Sequence, residues 1–274
     1  MTARQVEAVK DRYRLIGGGS PLKRITMEQA DMIERVLNGG VPDPDSDGAN
    51  STDRYKVFVG MMYTRPFIRE SVDRILSEGI RHITALPLSP YFTSVSSGRY
   101  LQELEEAVRG KDIDVRVIRN YNTNRLFIQA MVQAVTAALK GIGDPFVIFS
   151  AHSLPPAIAK ADSYVEQLEQ TLGLVLKDLP LSHYALAFQS RGMSGDDWLG
   201  PDVKEVMDRC ARQGRKNIVI VPLGFVSDHV ETLYDIDIVY REHARVLGIG
   251  FSRAASLNGS DLFIQALKDV ISRT

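Results

Sequence analysis

Short apolar runs alternate with amphipathic segments along most of the chain. Runs such as "FVIFS" at 146–150 are continuous and rich in β-prone residues, which is typical of strands buried on both faces. Between them, apolar residues recur at the three- and four-residue spacing of helices that bury one side. The predicted strands are Lys56–Gly60, His82–Leu88, Asp114–Ile118, Phe146–Ser150, Tyr184–Gln189, Asn217–Pro222 and Val246–Phe251. The predicted helices are Met27–Asn38, Pro66–Glu78, Tyr100–Val108, Arg125–Leu139, Ala161–Leu179, Pro201–Arg212, Thr232–Arg245 and Asp261–Ser272.

Strands that alternate with helices predict an α/β fold in which parallel sheets are flanked by helices. The turn-rich segment "LKGIGDPF" interrupts this alternation near the middle of the chain. We therefore expect two similar halves, residues 1–143 and 144–258, with a C-terminal helix within 259–274 that returns to the first half. Thr26 and Gln29 have the spacing of a capping box at the start of the first predicted helix.

The composition excludes several classes of protein. Of 274 residues, 33 are Lys or Arg and 34 are Asp or Glu, and the net charge of −1 gives no electrostatic basis for nucleic-acid binding. Cys210 is the single cysteine, so the chain can form no internal disulfide, four-cysteine zinc site or iron–sulfur cluster. This cysteine usage fits a reducing cytoplasm, where we place the protein.

The sequence also bears on membranes. The stretch "MTARQVEAVKDRYRLIGGG" carries charges where a signal peptide has an apolar stretch. Nowhere does an apolar run approach the roughly 20 residues of a membrane helix, so we predict no integral membrane segment. Peripheral membrane contact stays open, and we expect a monomer.

A histidine, His152, follows the apolar strand in "FVIFSAHSLPPAI". Parallel sheets bind their ligands beyond the carboxyl ends of their strands, and the two prolines after the histidine restrict the backbone of the turn. A histidine at such a position is more often structural than functional, so by itself it is weak evidence for a site.

The segment "NIVIVPLGFVSDHVETLYDIDIVYREH" strengthens the case for a site. Its strand is followed by a loop that delivers Asp228 and Glu231 to the start of a helix containing Asp235. Glu231 and Asp235 are four residues apart and share a helical face, where the helix dipole alone would compensate acids near the N-terminus. Alternatively, these acids and His152 form a histidine–carboxylate site that binds a divalent transition metal and accepts protons.

Two further segments supply candidate binding residues. "RYRLIGGGSPL" has three consecutive glycines, which allow close approach by a ligand but match neither a Walker loop nor the dinucleotide fingerprint. Arg12, Tyr13 and Ser20 flank these glycines, where they could bind carboxylates or pack over a flat ring. Tyr100, in "LPLSPYFTSVSSGRYLQEL", follows a hydroxyl-rich loop that lines either a cleft or the ordinary surface.

Five stretches together resemble ferrochelatases, which insert ferrous iron into a porphyrin. They are "RYRLIGGGSPL", "FSAHSLP", "FQSRGMSGDDWLGPDV", "VPLGFVSDHVETLYDID" and "SLNGSDLFIQAL". They occur in the family's order across nearly the whole chain, and the combination of "SAHSLP" with "SDHVETLYD" is highly specific. The resemblance implies two flavodoxin-like halves with the active-site cleft between them.

The resemblance also implies roles for individual residues. His152 matches the active-site histidine and Glu231 the glutamate of the D-H-x-E motif, so both are implied as catalytic residues and metal ligands. Which of the two takes pyrrole protons and which holds iron stays open. Asp228 and Asp235 would form a path for protons or cations. The implied porphyrin-binding residues are Arg12, Tyr13, Ser20 and Tyr100. Iron is a substrate here, together with the porphyrin, and no bound cofactor is expected.

The sequence departs from the family's pattern in three places. Family members begin with a strand and a lip segment before the residues equivalent to Arg12, and this chain starts without them. We therefore expect a first half that lacks its first strand and lip. Met62 stands where many members have arginine, and Val239 where some members continue the row of acids.

Two alternative functions remain at this point. One is a related chelatase that inserts cobalt or nickel into a tetrapyrrole, because such enzymes share the fold and a histidine-based metal site. The other is a non-catalytic porphyrin- or haem-binding protein, which the short N-terminal part would permit. The intact His152, Glu231 and Asp235 favour an enzyme, and "GGGSPL" with "SDHVETLYD" favours iron insertion.

Overall fold

A computed structural model of the chain describes residues 3–39, 55–192 and 197–274. Helices and strands alternate through most of this part of the chain. The strands are β1 His82–Ala85, β2 Asp114–Val117, β3 Pro145–His152, β4 Tyr184–Gln189, β5 Asn217–Val221 and β6 Gly250–Arg253. The α-helices are α1 Ala3–Leu15, α2 Leu22–Leu37, α3 Ile68–Ser77, α4 Ser97–Val108, α5 Arg125–Leu139, α6 Pro156–Ala161, α7 Tyr164–Asp178, α8 Val203–Arg212, α9 Arg241–Leu247 and α10 Asp261–Ser272. A π-helix occupies Glu231–Tyr240.

The strands form two parallel sheets. β1 pairs with β2 in a small sheet, and the larger sheet has the order β4-β3-β5-β6. In the larger sheet β3 is central, and its last residue, His152, is in register with Gln189 at the end of β4. Because all four strands run in the same direction, their carboxyl ends meet along one edge of the sheet. This edge is where ligands bind in open parallel sheets.

Both faces of the central strand are buried, which explains its unbroken apolar sequence. Val147 and Phe149 belong to a core cluster shared with α5, α7 and α10, whereas Phe146 and Ile148 belong to a second cluster with α8 and the π-helix. The first cluster also includes Ile33 of α2, so apolar contacts run without a break from the first half of the chain into the second. α10 packs against α2 and α5. The division into two domains stays a prediction.

Several predicted elements differ from the structure. The apolar segment Lys56–Gly60 is not a strand, and side chains bond two of its backbone groups: Glu34 accepts a hydrogen bond from the Val57 N–H, and Ser71 donates one to the Val59 carbonyl. The predicted strand Val246–Phe251 is also misplaced. α9 continues to Leu247 and ends at Gly248, whose φ of +68° suits a helix terminus, before β6 begins.

Helix boundaries were also partly mispredicted. α2 begins at Leu22 and not at Met27, so the proposed capping box is wrong: Thr26 lies inside the helix and the Gln29 side chain is fully buried. The predicted helix Ala161–Leu179 corresponds to α7, which begins at Tyr164, and the short helix α6 before it was not predicted. α1 was not predicted, because its exposed residues give little apolar pattern. No helix in the described ranges is long and apolar enough to cross a bilayer.

Candidate active site

His152 stands at the carboxyl end of β3, with its side chain 36% exposed. Its Nδ1 atom lies 2.5 Å from the carbonyl oxygen of Ser153. A carbonyl oxygen only accepts hydrogen bonds, so this contact assigns the proton to Nδ1. In the neutral ring the lone pair therefore resides on Nε2, the nitrogen available to a proton or a metal ion.

The loop after β5 reaches His152 because it passes very close to β3. A Cβ atom on Gly224 would lie 2.9 Å from the Cα of Ala151, so only glycine fits this approach. The Gly224 N–H also donates a hydrogen bond to the Ser150 carbonyl. This contact explains why two segments far apart in the sequence supply one site.

Glu231, the first residue of the π-helix, lies between two histidines. Its Oε1 atom is 3.6 Å from Nε2 of His152, and its Oε2 atom is 3.7 Å from Nε2 of His229. Burial alone would raise the pKa of the Glu231 carboxyl, but the facing imidazoles of His229 and His152 outweigh that effect, and the net pKa lies below its ordinary value. Glu231 is therefore a carboxylate at neutral pH.

His229 was not among the predicted site residues. Its Nδ1 atom lies 3.1 Å from the Ser227 carbonyl oxygen, which again assigns the ring proton to Nδ1 and leaves Nε2 facing Glu231. The ring packs on Phe225, with 4.8 Å between centroids, and the side chain is 18% exposed. The D-H-x-E spacing was the available signal, since it places the histidine two residues before Glu231.

Asp235 lies on the same π-helix and contacts the end of β4. Ser190 donates a hydrogen bond to its Oδ2 atom over 2.6 Å. Burial raises the pKa of the Asp235 carboxyl; the Ser190 hydroxyl opposes the rise, the charge of Glu231 adds to it, and the net pKa is above its ordinary value. Sequence reasoning placed Glu231 and Asp235 on one face of an α-helix, and the structure places them together on a π-helix. A carboxyl with a raised pKa is suited to exchanging protons.

Arg12 approaches the same helix from the end of α1. Its guanidinium lies over the ring of Tyr234, 5.3 Å from the centroid, and its charge lowers the pKa values of Glu231 and Asp235. The neighbouring Tyr13 is partly buried, and its carbonyl accepts a hydrogen bond from Gly18.

Ser20 lies in the turn that leads from the three glycines into α2. Its hydroxyl accepts a hydrogen bond from the Leu22 N–H over 3.3 Å. Gly17 and Gly18 both have positive φ, +100° and +96°, which favours glycine at these positions. The glycines thus form a tight turn between α1 and α2 that sets where Arg12 and Ser20 stand.

Tyr164, also not predicted from the sequence, is a buried tyrosine close enough to Glu231 to be affected by its charge. It is 5% exposed, and its ring stands edge-on to Tyr91 at 6.3 Å. Burial raises the pKa of the Tyr164 phenol, and the charge of Glu231 raises it further, so the phenol stays protonated. Nothing in the helical pattern around Tyr164 distinguished it from an ordinary core aromatic.

Tyr100, a predicted site residue, and Val239, a departure from the family's pattern, lie in other surroundings. Tyr100 packs with Met62 against the cluster of Ile68, Val72 and Ala107, and among the described residues it makes no hydrogen bond with His152 or Glu231. Burial raises the pKa of its phenol. Val239, where some ferrochelatases have an acid, packs against the second core cluster.

Asp228 accepts four hydrogen bonds from the protein. Its Oδ1 atom accepts from Arg253, Ser256 and Thr232, and its Oδ2 atom accepts from Asn258. Burial alone would raise the pKa of this carboxyl, but these hydrogen bonds and the Arg253 charge lower it. A carboxylate with its oxygens occupied and a low pKa is poorly suited to relay protons, in contrast to Asp235.

The metal-binding capacity of the site rests on few donors. Within residues 3–39, 55–192 and 197–274, no three His, Cys, Asp or Glu side chains are arranged to hold a metal ion. The assignment of His152 and Glu231 as ligands therefore stays a prediction. Two protein donors hold a metal less firmly than the three or four of a resident site, which suits a metal that is passed on to another ligand.

Comparisons with known proteins identify the family of the chain. The ferrochelatase family model matches residues 1–274. The ferrochelatase of Geotalea daltonii is 36% identical over 275 residues, which cover 98% of this chain and 82% of that protein. The ferrochelatase of Citrifermentans bemidjiense is 34% identical, covering 96% and 80%, and that of Aquifex aeolicus is 34% identical, covering 94% and 81%.

Solved structures confirm the fold class. SirB from Bacillus subtilis with Fe³⁺ has a TM-score of 0.62 at 12% identity, covering 90% of this chain and 89% of that one. The sirohydrochlorin chelatase SirB from Bacillus subtilis subspecies spizizenii, in complex with cobalt, has a TM-score of 0.58 at 15% identity, covering 93% and 91%. These likenesses show the chelatase-like α/β fold, whereas the sequence matches identify the family. The chain therefore belongs to the ferrochelatase family of metal-inserting enzymes.

Proposed function

We propose that this protein inserts Fe²⁺ into a porphyrin and releases the two pyrrole protons as the metal enters. The observation that carries this proposal is the pairing of His152 Nε2 with Glu231 Oε1, 3.6 Å apart, at the carboxyl edge of the larger sheet. A neutral imidazole nitrogen and a carboxylate oxygen can each accept a proton or ligate a transition metal. Metal insertion requires both of these abilities at one place.

Both groups can act in this way. Glu231 is ionised because the His229 side chain and the positive charge around it lower its pKa. When His152 is neutral its proton is on Nδ1, and Nε2 is free to accept a proton or a metal ion. We assign proton acceptance and metal delivery to the pair jointly. Two protein donors leave coordination positions of iron open. The four pyrrole nitrogens can therefore bind the iron and replace the two protein donors.

Asp235 is the group that would move protons away from the pair. It adjoins Glu231 on the π-helix, and its raised pKa brings it closer to the working pH than an ordinary aspartate. The Ser190 hydroxyl fixes the orientation of its carboxyl. Asp228 is less suited to this path than Asp235, because four hydrogen bonds hold its carboxylate and its pKa is lowered.

The porphyrin would be held by the segments around the pair. Arg12 offers a charge for a propionate, and Tyr13, Ser20 and Tyr100 would line the cleft further out. The enzyme would bend the macrocycle and expose the nitrogen lone pairs, with binding energy sustaining the strain. We propose a cytoplasmic, monomeric enzyme that needs no bound cofactor or iron–sulfur cluster, with any membrane contact peripheral.

The test is metal insertion followed by absorption spectroscopy. Purified protein is given Fe²⁺ under anaerobic conditions with protoporphyrin IX, coproporphyrin III or sirohydrochlorin in parallel, and Zn²⁺ and Co²⁺ replace Fe²⁺ in further reactions. We expect the spectrum of one of the two porphyrins to shift to that of its metal complex, with Zn²⁺ and Co²⁺ also accepted. Insertion into sirohydrochlorin alone, or porphyrin binding without insertion, would contradict the proposal.

A further inference from the structure

Arg253, the last residue of β6, forms a partly buried clamp on the π-helix. Its Nε and Nη2 atoms donate hydrogen bonds to the two carboxylate oxygens of Asp237 over 2.8 and 2.9 Å. Its Nη1 atom lies 3.1 Å from Oδ1 of Asp228, just before the helix. The three side chains are between 14% and 23% exposed. Two-pronged hydrogen bonding of this kind fixes orientation as well as distance.

Side chains at the ends of three strands contact the π-helix, and the clamp is one of these contacts. β3 contributes His152, which faces Glu231, and Ser190, the residue after β4, donates a hydrogen bond to Asp235. β6 contributes Arg253 on the far side of the sheet edge. Its partner Asp237 is two residues beyond Asp235, so the clamp is close in the chain to both proposed proton acceptors.

A π-helix of ten residues needs such support. π-Helices occur mostly as single turns within α-helices, because the wider winding is less stable, and they are frequent at functional sites. Here the winding sets which way the Glu231 and Asp235 carboxyls point. An ordinary α-helix over the same residues would rotate one acid relative to the other and break at least one contact with the sheet.

We propose that Arg253 is a positioning residue, which holds the π-helix through Asp237 and Asp228 so that Glu231 meets His152. The part played by Asp228 follows from the same geometry. It accepts hydrogen bonds from Ser256 and Asn258 as well as Arg253, and so ties the loop after β6 to the start of the helix. This inference rests on the proposed function of the His152–Glu231 pair, but its structural part can be measured without any reaction.

The test uses Arg253→Lys, which keeps the positive charge but cannot make the paired hydrogen bonds of the guanidinium to Asp237. Hydrogen exchange of the amides of residues 231–240 is measured beside the KM values for Zn²⁺ and for porphyrin. We expect faster exchange in 231–240 and a KM for Zn²⁺ raised about tenfold, as for other partners that orient metal ligands. The KM for porphyrin should be unchanged. Arg245→Lys, an exposed arginine paired with Glu242, is the matched control and should leave all three quantities unchanged.

Asp237→Asn provides a second route, since it weakens the same clamp from the other side and should give the same pattern. Unchanged exchange in 231–240, or an equal rise of both KM values, would overturn the proposal. Failure of both variants to fold would also overturn it, because Arg253 would then serve stability alone. If the wild-type protein inserts no metal, the proposed function fails, and the exchange measurement still decides whether Arg253 holds the helix.

Discussion

Ser190 donates a hydrogen bond to Asp235, with 2.6 Å between Oγ and Oδ2, and thereby joins the end of β4 to the π-helix. Ser190 has a φ of +58°, an uncommon backbone conformation for serine. The bond lowers the pKa of Asp235 against the opposing effects of burial and of the Glu231 charge. The hydroxyl of Ser190 therefore helps to set the pH at which Asp235 can take a proton.

The pH dependence of activity should respond to Ser190. In Ser190→Ala the opposing hydroxyl is lost, so the pKa of Asp235 rises further above its ordinary value. The acid limb of kcat/KM for Zn²⁺ insertion should move to higher pH, since this limb reports groups that must be ionised in the free enzyme. Ser77→Ala, an exposed serine at the end of α3, is the control. An acid limb that stays where it is in both variants would contradict a proton-accepting role for Asp235.

Asp228 should stabilise the fold, and only above acidic pH. Its pKa is lowered in the folded protein, so its contribution is fully present above the unfolded value near 3.8 and disappears as the pH falls through the folded value. Asp228→Asn should lower the free energy of unfolding by about 2 kcal/mol at pH 7, as expected for hydrogen bonds to a charged group. Urea denaturation as a function of pH measures this. Asp73→Asn, which removes an exposed carboxylate, should cost little at any pH.

Asp235 should have the opposite effect on stability. Its folded pKa is raised, so the ionised form costs stability above that pKa, and the cost vanishes below the unfolded value near 3.8, where the carboxyl is protonated in both states. Asp235→Asn should therefore raise the free energy of unfolding at neutral pH by on the order of 1 kcal/mol, while slowing metal insertion. Thermal unfolding at two pH values tests this. A variant that is less stable than the wild type at neutral pH would show that the carboxylate is a structural group.

Arg12 should contribute to porphyrin binding. It is exposed at the end of α1, over the ring of Tyr234, and its charge acts on Glu231 and Asp235. Removing one charge-assisted contact with a propionate should raise the KM for porphyrin in Arg12→Ala by roughly tenfold. The KM for Zn²⁺ should change little. Arg14→Ala, two residues along the same helix and paired with Glu7 and Asp11, is the comparison, and equal effects of the two substitutions would exclude a specific role for Arg12.

Local patterns in the sequence predicted the parts of the site that depend on local structure. The apolar run of β3 ends at His152, so the position of this histidine at the sheet edge followed from the strand alone. The spacing of four between Glu231 and Asp235 placed them on one face for either kind of helix. Their motifs carried enough specificity to identify the family, which the comparisons confirm.

Contacts between residues that are far apart in the chain could not be predicted from local patterns. Ser190 and Arg253 act through partners that are 45 and 16 residues away in the chain, and no local pattern encodes such pairs. The winding of the π-helix was not predictable either, because its side-chain spacing is compatible with an α-helix. The segment Lys56–Gly60 has a strand-like composition, but a strand also needs a neighbouring strand to which its backbone can hydrogen-bond. In this segment two backbone groups, the Val57 N–H and the Val59 carbonyl, are bonded to side chains instead.

The proposed joint role of His152 and Glu231, which receive the metal and the pyrrole protons, can be measured by the initial rate of anaerobic Fe²⁺ insertion. His152→Ala and Glu231→Gln are compared with His82→Ala and Glu242→Gln, which alter an exposed histidine and an exposed glutamate elsewhere. We expect both site variants to bind porphyrin and insert no measurable iron, while both controls keep the wild-type rate. Insertion at the wild-type rate in either site variant would contradict the joint role.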